Sequence, residues 1–516
     1  MTPGPEHLII APVLIPLVAG ALMLFYEDRQ RRAKRTISMI AAAALIFVGR
    51  DLMNLARDGG PSGTVGLYLL GNWPPPFAIV LVLDRLSALM LLLTAILALP
   101  ALFFAMARWD RRGQHFHSLF MFLLAGLNGA FLTGDLFNLF VFFEVMLAAS
   151  YGLALHGSGT LRVRASLHYI AINLAASLLF LIGVSLIYGV TGTLNMADLA
   201  QRLPDIAPAD QPLLRAGAAI LGVAFLVKAA MWPLCFWLPI TYTASAPPVA
   251  AMFAVMSKVG IYVVLRISSL VFGAGIVHSA GLGAEMLVAG GMATVVFGML
   301  GVLASQGLGR LAGSSVLVSS GTLLAVVGLF GLGGGTALMA AGLYYLVIST
   351  LAISTLFLML ELVERDEGGF ATVFAVTAEL YGFSEDAADE DDPLEGPTVS
   401  GTVTLLAVCY GCVALLLAGL PPLGGFLAKF AILSAVLNPA GLGAGGSVSP
   451  LAFAFTALLV VSGLAAMIAL ARTGIQTFWG SIEETSPRVA LVELVPIFAL
   501  LGMTLYMTVQ ANTVMR

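Results

Sequence analysis

A single carboxylate lies in the middle of a long apolar stretch of this sequence. Residues 133–155 read TGDLFNLFVFFEVMLAASYGLAL, and Glu144 is near the centre of the run. A helix of this length crosses a bilayer, where an unpaired carboxylate is costly. Two interpretations are open: a structural hydrogen bond to a neighbouring helix, or a titrating group on an ion pathway. The second is our hypothesis, because acids inside membranes mostly serve ion movement.

Two lysines have similar apolar surroundings further along the chain. Lys228 lies in LGVAFLVKAAMWPLCFWLP, and Pro233 follows it. Because a proline leaves an earlier carbonyl without its helical hydrogen bond, we expect a broken helix here, next to a hydrated cavity. Lys258 lies in PPVAAMFAVMSKVGIYVVLR, beside Ser257. Both lysines are candidate proton carriers, although Lys228 could instead extend towards the membrane surface.

The same combination of lysine and proline returns near the C-terminal end. The segment VALLLAGLPPLGGFLAKF contains Pro421 and Pro422 inside an apolar run, with Lys429 just beyond them. Two proline-interrupted spans, each with an embedded lysine, are typical of a transporter built from an internal repeat. A pair of accidental prolines is the alternative, since membrane helices tolerate proline.

The composition determines the class of protein that must position these residues. Apolar residues make up 59% of the chain and charged residues only 10%, which excludes disordered and ordinary soluble classes. We predict an all-α polytopic membrane protein of about fourteen transmembrane helices. The first run precedes its basic cluster, so it is interpreted as a permanent span rather than a cleaved signal peptide. The apolar runs occupy residues 8–26, 36–56, 77–107, 117–133, 135–156, 165–190, 214–239, 243–271, 283–306, 311–332, 336–363, 400–437, 450–472 and 489–510.

Charged residues in the connections predict the topology. Basic residues concentrate in loops that follow odd-numbered spans, so those loops are predicted to be cytoplasmic and both termini outside. The segment 364–399 contains eleven Asp and Glu residues. Such a segment cannot be buried cheaply, and we predict an exposed cytoplasmic loop, either a solvated connector or a docking segment.

Other kinds of site find little support. Three cysteines, Cys235, Cys409 and Cys412, lie within apolar runs and do not form a disulfide framework. The glycines of GLGGGT at 331–336 do not follow a strand, so they are interpreted as a loop rather than a phosphate-binding turn. We predict no catalytic residue, metal, cofactor or nucleic-acid partner.

Together these segments resemble the antiporter-like subunits shared by Mrp-type multisubunit monovalent cation/proton antiporters and respiratory complex I. The resemblance covers nearly the whole chain, and TGDLFNLFVFFEVMLAASYGL is most similar to the D subunit of the Mrp type. KAAMWPLCFWLP, MSKVGIY and GLPPLGGFLAK agree with the family in order and spacing.

The resemblance implies two inverted five-helix repeats, at 116–271 and 272–473, with the seventh and twelfth helices broken. Three helices in 1–115 would precede them and one helix in 474–516 would follow. It also implies a role for each buried charge: Glu144 as the key acid, Lys228 as its partner, Lys258 as a connecting lysine and Lys429 as a terminal one.

This sequence departs from the family at one place. Related complex I subunits often have histidine near CFWLPITY, whereas this chain has Cys235, Tyr242 and Thr243. A histidine relay is therefore doubtful here. We suggest water and three hydroxyl side chains as substitutes: Ser257, Ser349 and Thr350.

Three functional hypotheses follow. The first is a secondary transporter subunit, not an enzyme, that moves protons in a complex exchanging Na⁺ or K⁺ for H⁺, with other subunits and the lipid bilayer as partners. The second is a proton-pumping membrane subunit of complex I or of a membrane-bound hydrogenase. The third is a scaffold subunit that transports nothing, which should tolerate Glu144→Gln.

Overall fold

The computed structural model describes residues 5–27, 29–58, 63–73, 79–270, 280–364, 401–439, 448–479 and 489–515. Apart from its first residue, the acidic segment predicted at 364–399 lies outside the described residues.

The described chain is almost entirely helical, as predicted. Thirteen of the described helices are long and apolar enough to span a membrane, and counting the shorter apolar helix α4 with them gives the fourteen crossings expected from the sequence. The helices are α1 Ala11–Leu24, α2 Arg31–Arg57, α3 Arg85–Ala105, α4 Phe116–Leu132, α5 Leu136–Ala154, α6 Thr160–Thr191, α7 Met196–Arg202, α8 Gln211–Lys228, α9 Trp237–Ala244, α10 Pro247–Leu270, α11 Ala280–Ala304, α12 Leu308–Gly331, α13 Thr336–Glu364, α14 Gly401–Ala418, α15 Gly424–Leu437, α16 Pro450–Trp479, α17 Leu491–Val509 and α18 Ala511–Met515.

Two of the crossings are interrupted, which confirms the prediction of two broken helices. α8 ends at Lys228, and α9 resumes the same crossing only at Trp237. α14 ends at Ala418, and α15 begins at Gly424. Pro233 lies in the first interruption, and Pro421 and Pro422 lie in the second. Because a proline has no N–H to donate, backbone carbonyls at each break are left for other partners.

A short β-hairpin corrects the predicted start of the third span, residue 77. β1 (Gly66–Leu69) pairs antiparallel with β2 (Val80–Leu83), and α3 begins only at Arg85. The run VLVL suits a strand because alternate side chains can pack on two sides of the ribbon. The Asp84 carboxylate then caps α3 by accepting a hydrogen bond from the Ser87 N–H.

Three helices form the interior of the bundle. α10, α12 and α13 are almost wholly buried, whereas α6, α14 and α16 keep most of their apolar surface exposed. A membrane protein exposes such surface to lipid rather than to water. Lys258 on α10 is therefore surrounded by protein.

The predicted repeats remain a proposal. The proposed boundary at 271/272 falls in the gap between α10 and α11, so each proposed unit contains one broken helix. α16 continues to Trp479, beyond the end of the second unit as predicted at 473.

Loops that follow odd-numbered crossings meet on one side of the bundle, which we call the basic face. The His156 ring lies 2.7 Å from the Trp109 carbonyl oxygen, and the Trp109 indole donates to the Glu361 carboxylate. Arg108 lies 3.8 Å from Glu493. This is the face that the basic loops of the sequence predict to be cytoplasmic.

Candidate functional site

Glu144 lies halfway along α5. The helix is anchored outside the apolar run by Asp135, whose carboxylate accepts a hydrogen bond from the Asn138 N–H. Nine residues separate Asp135 from Glu144, roughly 13 to 14 Å along the helix axis. There the Glu144 carboxylate accepts a hydrogen bond of 2.5 Å from the Ser177 hydroxyl of α6. The acid therefore has a partner at membrane depth, and that partner is neutral.

Lys228 is the last residue of α8, and it is buried at 6% exposure. Its ammonium forms no hydrogen bond with any described residue and lies 4.8 Å from the centroid of the Phe143 ring. Glu144 is close enough to act on Lys228 electrostatically, yet no ion pair within 4.0 Å joins the two among the described residues. The Lys228 ammonium thus lies over Phe143, the residue before Glu144, and the two charges stay apart.

α10 passes directly against the first break. At Gly260 an added Cβ would lie 2.5 Å from the Ala229 nitrogen, a distance that no side chain tolerates. Only glycine allows this approach, so α10 lies directly against the end of α8. The first break and the helix that carries Lys258 are therefore packed against each other.

Lys258 is fully buried and binds hydroxyl groups. Its ammonium donates hydrogen bonds to Ser319 Oγ at 2.9 Å and Ser320 Oγ at 3.3 Å. Ser319 Oγ lies in turn 2.9 Å from Ser349 Oγ. No carboxylate within 4.0 Å neutralises Lys258 in the part of the chain that the structure describes. A hydrogen-bonded line therefore runs from α10 across α12 to α13.

Of the three suggested relay hydroxyls, only Ser349 is in this line. Ser257 Oγ and Thr350 Oγ1 donate to carbonyls of their own helices, those of Ala254 and Leu346. The sequence interpretation missed Ser319 and Ser320. The sequence pattern that could have identified them is a pair of serines inside an apolar helix. Ser314 and Ser315, about one turn earlier, form the same pattern, so the sequence does not distinguish the two pairs.

Lys429 binds backbone carbonyl groups that the second break leaves without a helical partner. Its ammonium donates to the carbonyl oxygens of Leu417 at 3.0 Å and Ala418 at 2.8 Å, the last two residues of α14. A helix C-terminus carries partial negative charge, so it is a favourable partner for a cation. At Gly419 an added Cβ would lie 2.5 Å from Lys429 Cδ, so glycine is needed for this contact.

Two further buried polar side chains, those of Trp237 and Tyr242, belong to α9 itself. Neither Tyr242 Oη nor Trp237 Nε1 forms a hydrogen bond of good geometry with another described residue, although Tyr242 approaches the Ser257 hydroxyl. Buried polar atoms of this kind are usually satisfied by water. Tyr242 occupies the stretch where the sequence departs from the histidine pattern. Its hydroxyl can both donate and accept a hydrogen bond, as a proton relay requires.

Comparisons with known proteins agree with this architecture. Residues 133–442 match the family described as NADH:quinone oxidoreductase/Mrp antiporter, TM. The chain is 56% identical to a protein of Rhizobium meliloti (strain 1021) named as the probable D subunit of a K(+)/H(+) antiporter, covering 100% of this chain and 95% of that one. It is 34% identical to the D subunit of the Na(+)/H(+) antiporter of Alkalihalophilus pseudofirmus, covering 96% and 93%.

Solved structures show the same fold. A chain of the Mrp complex from Dietzia sp. DQ12-45-1b superposes with a TM-score of 0.82 at 26% identity, covering 100% of this chain and 96% of that one. A chain of respiratory complex I from Thermus thermophilus superposes with a TM-score of 0.75 at 22% identity, covering 99% and 97%. The bacterial relatives and the thirteen described helices that could span a membrane indicate a multi-pass protein of the inner membrane. The chain belongs to the NADH:quinone oxidoreductase/Mrp antiporter transmembrane family, as a D subunit of the Mrp type, which confirms the resemblance found in the sequence.

Proposed function

We propose that this chain moves protons within a multisubunit antiporter that exchanges a monovalent cation for H⁺, and that other antiporter subunits are its partners. The names of its relatives support this activity, and the 56% identical relative makes K⁺ the first cation to test. The chain would act as a transporter subunit and not as an enzyme.

The observation that carries the proposal is the environment of Lys258. A cation with no carboxylate partner in a fully buried position is costly, and a purely structural role would not require it. Its partners are hydroxyl groups that can accept a proton from one side and donate one to the other. This favours a proton pathway over the scaffold hypothesis.

The proposed path begins with Glu144 and Lys228. When the two charges are close, Glu144 favours the protonated form of Lys228; when they separate, as here, Lys228 can release its proton into the break. From the break the proton would pass by Tyr242 and water to Lys258.

The second half of the path would run from Lys258 through Ser319 and Ser349. It would end at Lys429, where the freed carbonyls of α14 hold the ammonium at the second break. Each broken helix thus contributes one lysine, and α10 contributes the lysine between them.

The test uses membrane vesicles from cells that express the whole complex, with a fluorescent dye that reports the proton gradient. Adding K⁺ or Na⁺ should collapse the gradient in the wild type. Ser319→Ala should slow the collapse at normal expression, because it removes a hydroxyl from the line to Ser349. Ser315→Ala is the matched control: its hydroxyl donates to the Leu311 carbonyl of its own helix.

Lys258→Ala should abolish the collapse. Equal rates for Ser319→Ala and Ser315→Ala would exclude the serine line as the path. Normal activity of both Lys258→Ala and Glu144→Gln would favour the scaffold hypothesis.

The fold of complex I is shared, but at 22% identity that likeness concerns the fold alone. It does not by itself favour the alternative function, a proton-pumping role in complex I or a hydrogenase. Redox subunits encoded beside this chain would favour it.

A further inference from the structure

A cavity of about 310 Å³ opens on the basic face, between the first turn of α2 and the loop that joins α3 to α4. The proton pathway proposed above does not use it. It is lined by four permanent cations, two histidines and one carboxylate: Arg31, Lys34, Arg111, Arg112, His115, His117 and Asp110.

The one carboxylate of the cavity is already neutralised. Asp110 Oδ2 accepts a hydrogen bond from Arg35 Nε at 2.5 Å, and Asp110 Oδ1 accepts one from Arg35 Nη2 at 2.9 Å. Burial raises the pKa of Asp110, but hydrogen bonds from His117 and Arg35 outweigh burial and hold the pKa below its ordinary value. Asp110 is therefore an anion bound to a cation outside the cavity lining, and the remaining charge of the cavity is positive.

Two of the cations have no protein partner. Arg31 and Arg111 are exposed, and their guanidinium groups form no hydrogen bond or ion pair with any described residue. Arg112 instead stacks on Trp109, with its guanidinium 4.4 Å from the ring centroid. Arg31 and Arg111 therefore keep all their donors for a ligand.

The deeper part of the cavity adds backbone donors. His117 there is 5% exposed and is held by protein groups, with its Nδ1 2.8 Å from Ser38 Oγ and its Nε2 3.5 Å from Asp110 Oδ2. α2 begins at Arg31 without a side-chain cap, so N–H groups of its first turn also face this end. A helix N-terminus with two free guanidinium groups favours an anion with several oxygens, such as a phosphate.

The position of the cavity indicates where this phosphate comes from. The cavity lies at the ends of α2 and α4, and both the loop before α2 and the further course of α2 expose apolar side chains: Phe25 is 88% exposed and Ile40 64%. On the topology predicted above, this side meets the cytoplasmic leaflet, whose anionic lipids attract basic residues. We propose that the cavity binds the phosphate headgroup of an anionic phospholipid, with Arg31 and Arg111 as its main ligands.

The test measures lipid binding by the purified complex. Delipidated complex is titrated with phosphatidylglycerol, with phosphatidylcholine of the same acyl chains, or with inorganic phosphate alone, and the Tm is recorded. Phosphatidylglycerol should raise the Tm, and the other two should not. The variant Arg31→Gln/Arg111→Gln should need roughly tenfold more phosphatidylglycerol for the same rise, since two charge contacts are lost.

The matched control is Arg50→Gln/Arg57→Gln, which removes the same charge from the other end of α2 and should titrate like the wild type. Native mass spectrometry should find less phosphatidylglycerol retained by Arg31→Gln/Arg111→Gln than by the control. If the double variant does not assemble, Arg111→Gln alone serves the same comparison.

Three outcomes would overturn the proposal. Equal titration of the two double variants would remove the cavity as a lipid site. Stabilisation by inorganic phosphate equal to that by phosphatidylglycerol would make it a site for a free anion. If deletion of residues 379–395 increased the lipid binding that depends on Arg111, the acidic segment, and not lipid, would be the normal occupant of the cavity.

Discussion

The Lys429 ammonium lies 2.8 Å from the carbonyl oxygen of Ala418, across the break that separates their two helices. At the other break, Lys228 is itself the last residue of the helix that ends there. Both lysines therefore stand at the negative end of a half-helix, although one comes from the first half of its crossing and the other from the second half.

The first prediction concerns the contact between Gly419 and Lys429. Gly419→Ala should displace the Lys429 side chain, because the new Cβ would lie 2.5 Å from its Cδ and because Gly419 has φ +78°. We expect cation-dependent proton movement to fall at least about tenfold, although no titratable group is removed. Gly411→Ala on α14 is the control, since an added Cβ there meets no heavy atom within 4 Å. Equal activity of both variants would show that the position of Lys429 is not critical.

The second prediction concerns proton exchange at Lys228. Lys228→Ala removes the carrier, while Lys228→Arg keeps the charge but resists deprotonation in any protein environment. Both variants should lose cation-dependent proton movement in vesicles that contain the complex, the arginine variant more mildly. A fully active arginine variant at normal expression would mean that Lys228 acts only through its charge.

The third prediction concerns the coupling between Glu144 and Lys228. Since they form no close ion pair, a coupling of about 1–2 kcal/mol is expected, as for charges several ångströms apart at an effective dielectric constant of about 20. The double variant Glu144→Gln/Lys228→Met should therefore assemble better than the worse single variant. All three should lose transport, since neutral side chains exchange no protons.

Two measurements on the same preparations check this coupling: complex yield after purification, and collapse of the proton gradient on adding cation. Strictly additive losses of yield would argue against an interaction between the two charges. Transport by the double variant would move the ion path to Lys258 and Lys429.

The fourth prediction concerns pH and the basic face. Burial lowers the pKa of His156 below 6.5 and Arg162 lowers it further, although the hydrogen bond with the Trp109 carbonyl opposes this. His156 is therefore neutral when folded, and its contribution to stability is full above pH 6.5 and is lost as the pH falls towards the folded pKa. Each unit of pKa difference corresponds to about 1.4 kcal/mol.

His156→Gln keeps a donor for the Trp109 carbonyl but does not titrate. The Tm of the purified complex should therefore fall less between pH 7.5 and pH 5.5 in this variant than in the wild type. Parallel curves for the two proteins would contradict a buried, neutral His156.

The crossings and the breaks could be predicted from the sequence because their causes are local. A run of apolar residues determines a span, and a proline such as Pro233 acts on its own helix. The hairpin was missed because only Asp84 and Arg85 separate VLVL from the apolar run of α3, and the two apolar stretches together resemble a single span.

The contacts of the buried charges depend on distances between helices, which no local pattern contains. Lys258 could be picked out as a buried cation, but its bond to Ser319 joins residues 61 positions apart. In the same way, an acid and a lysine in two apolar helices suggested a pair. The structure instead places the Lys228 ammonium over Phe143, one residue from Glu144.

The hydroxyl line from Lys258 to Ser349 has no fixed polarity, since either Ser319 or Ser349 can be the donor in the bond between them. After one proton has passed, every hydroxyl in such a line points the opposite way and must rotate before a second can follow in the same direction. The hydroxyl line by itself can therefore carry protons in either direction, and it needs time to reorient after each one. In the proposed pathway the direction of proton transfer must therefore be set at the two ends, where charge can approach or leave Lys228 and Lys429.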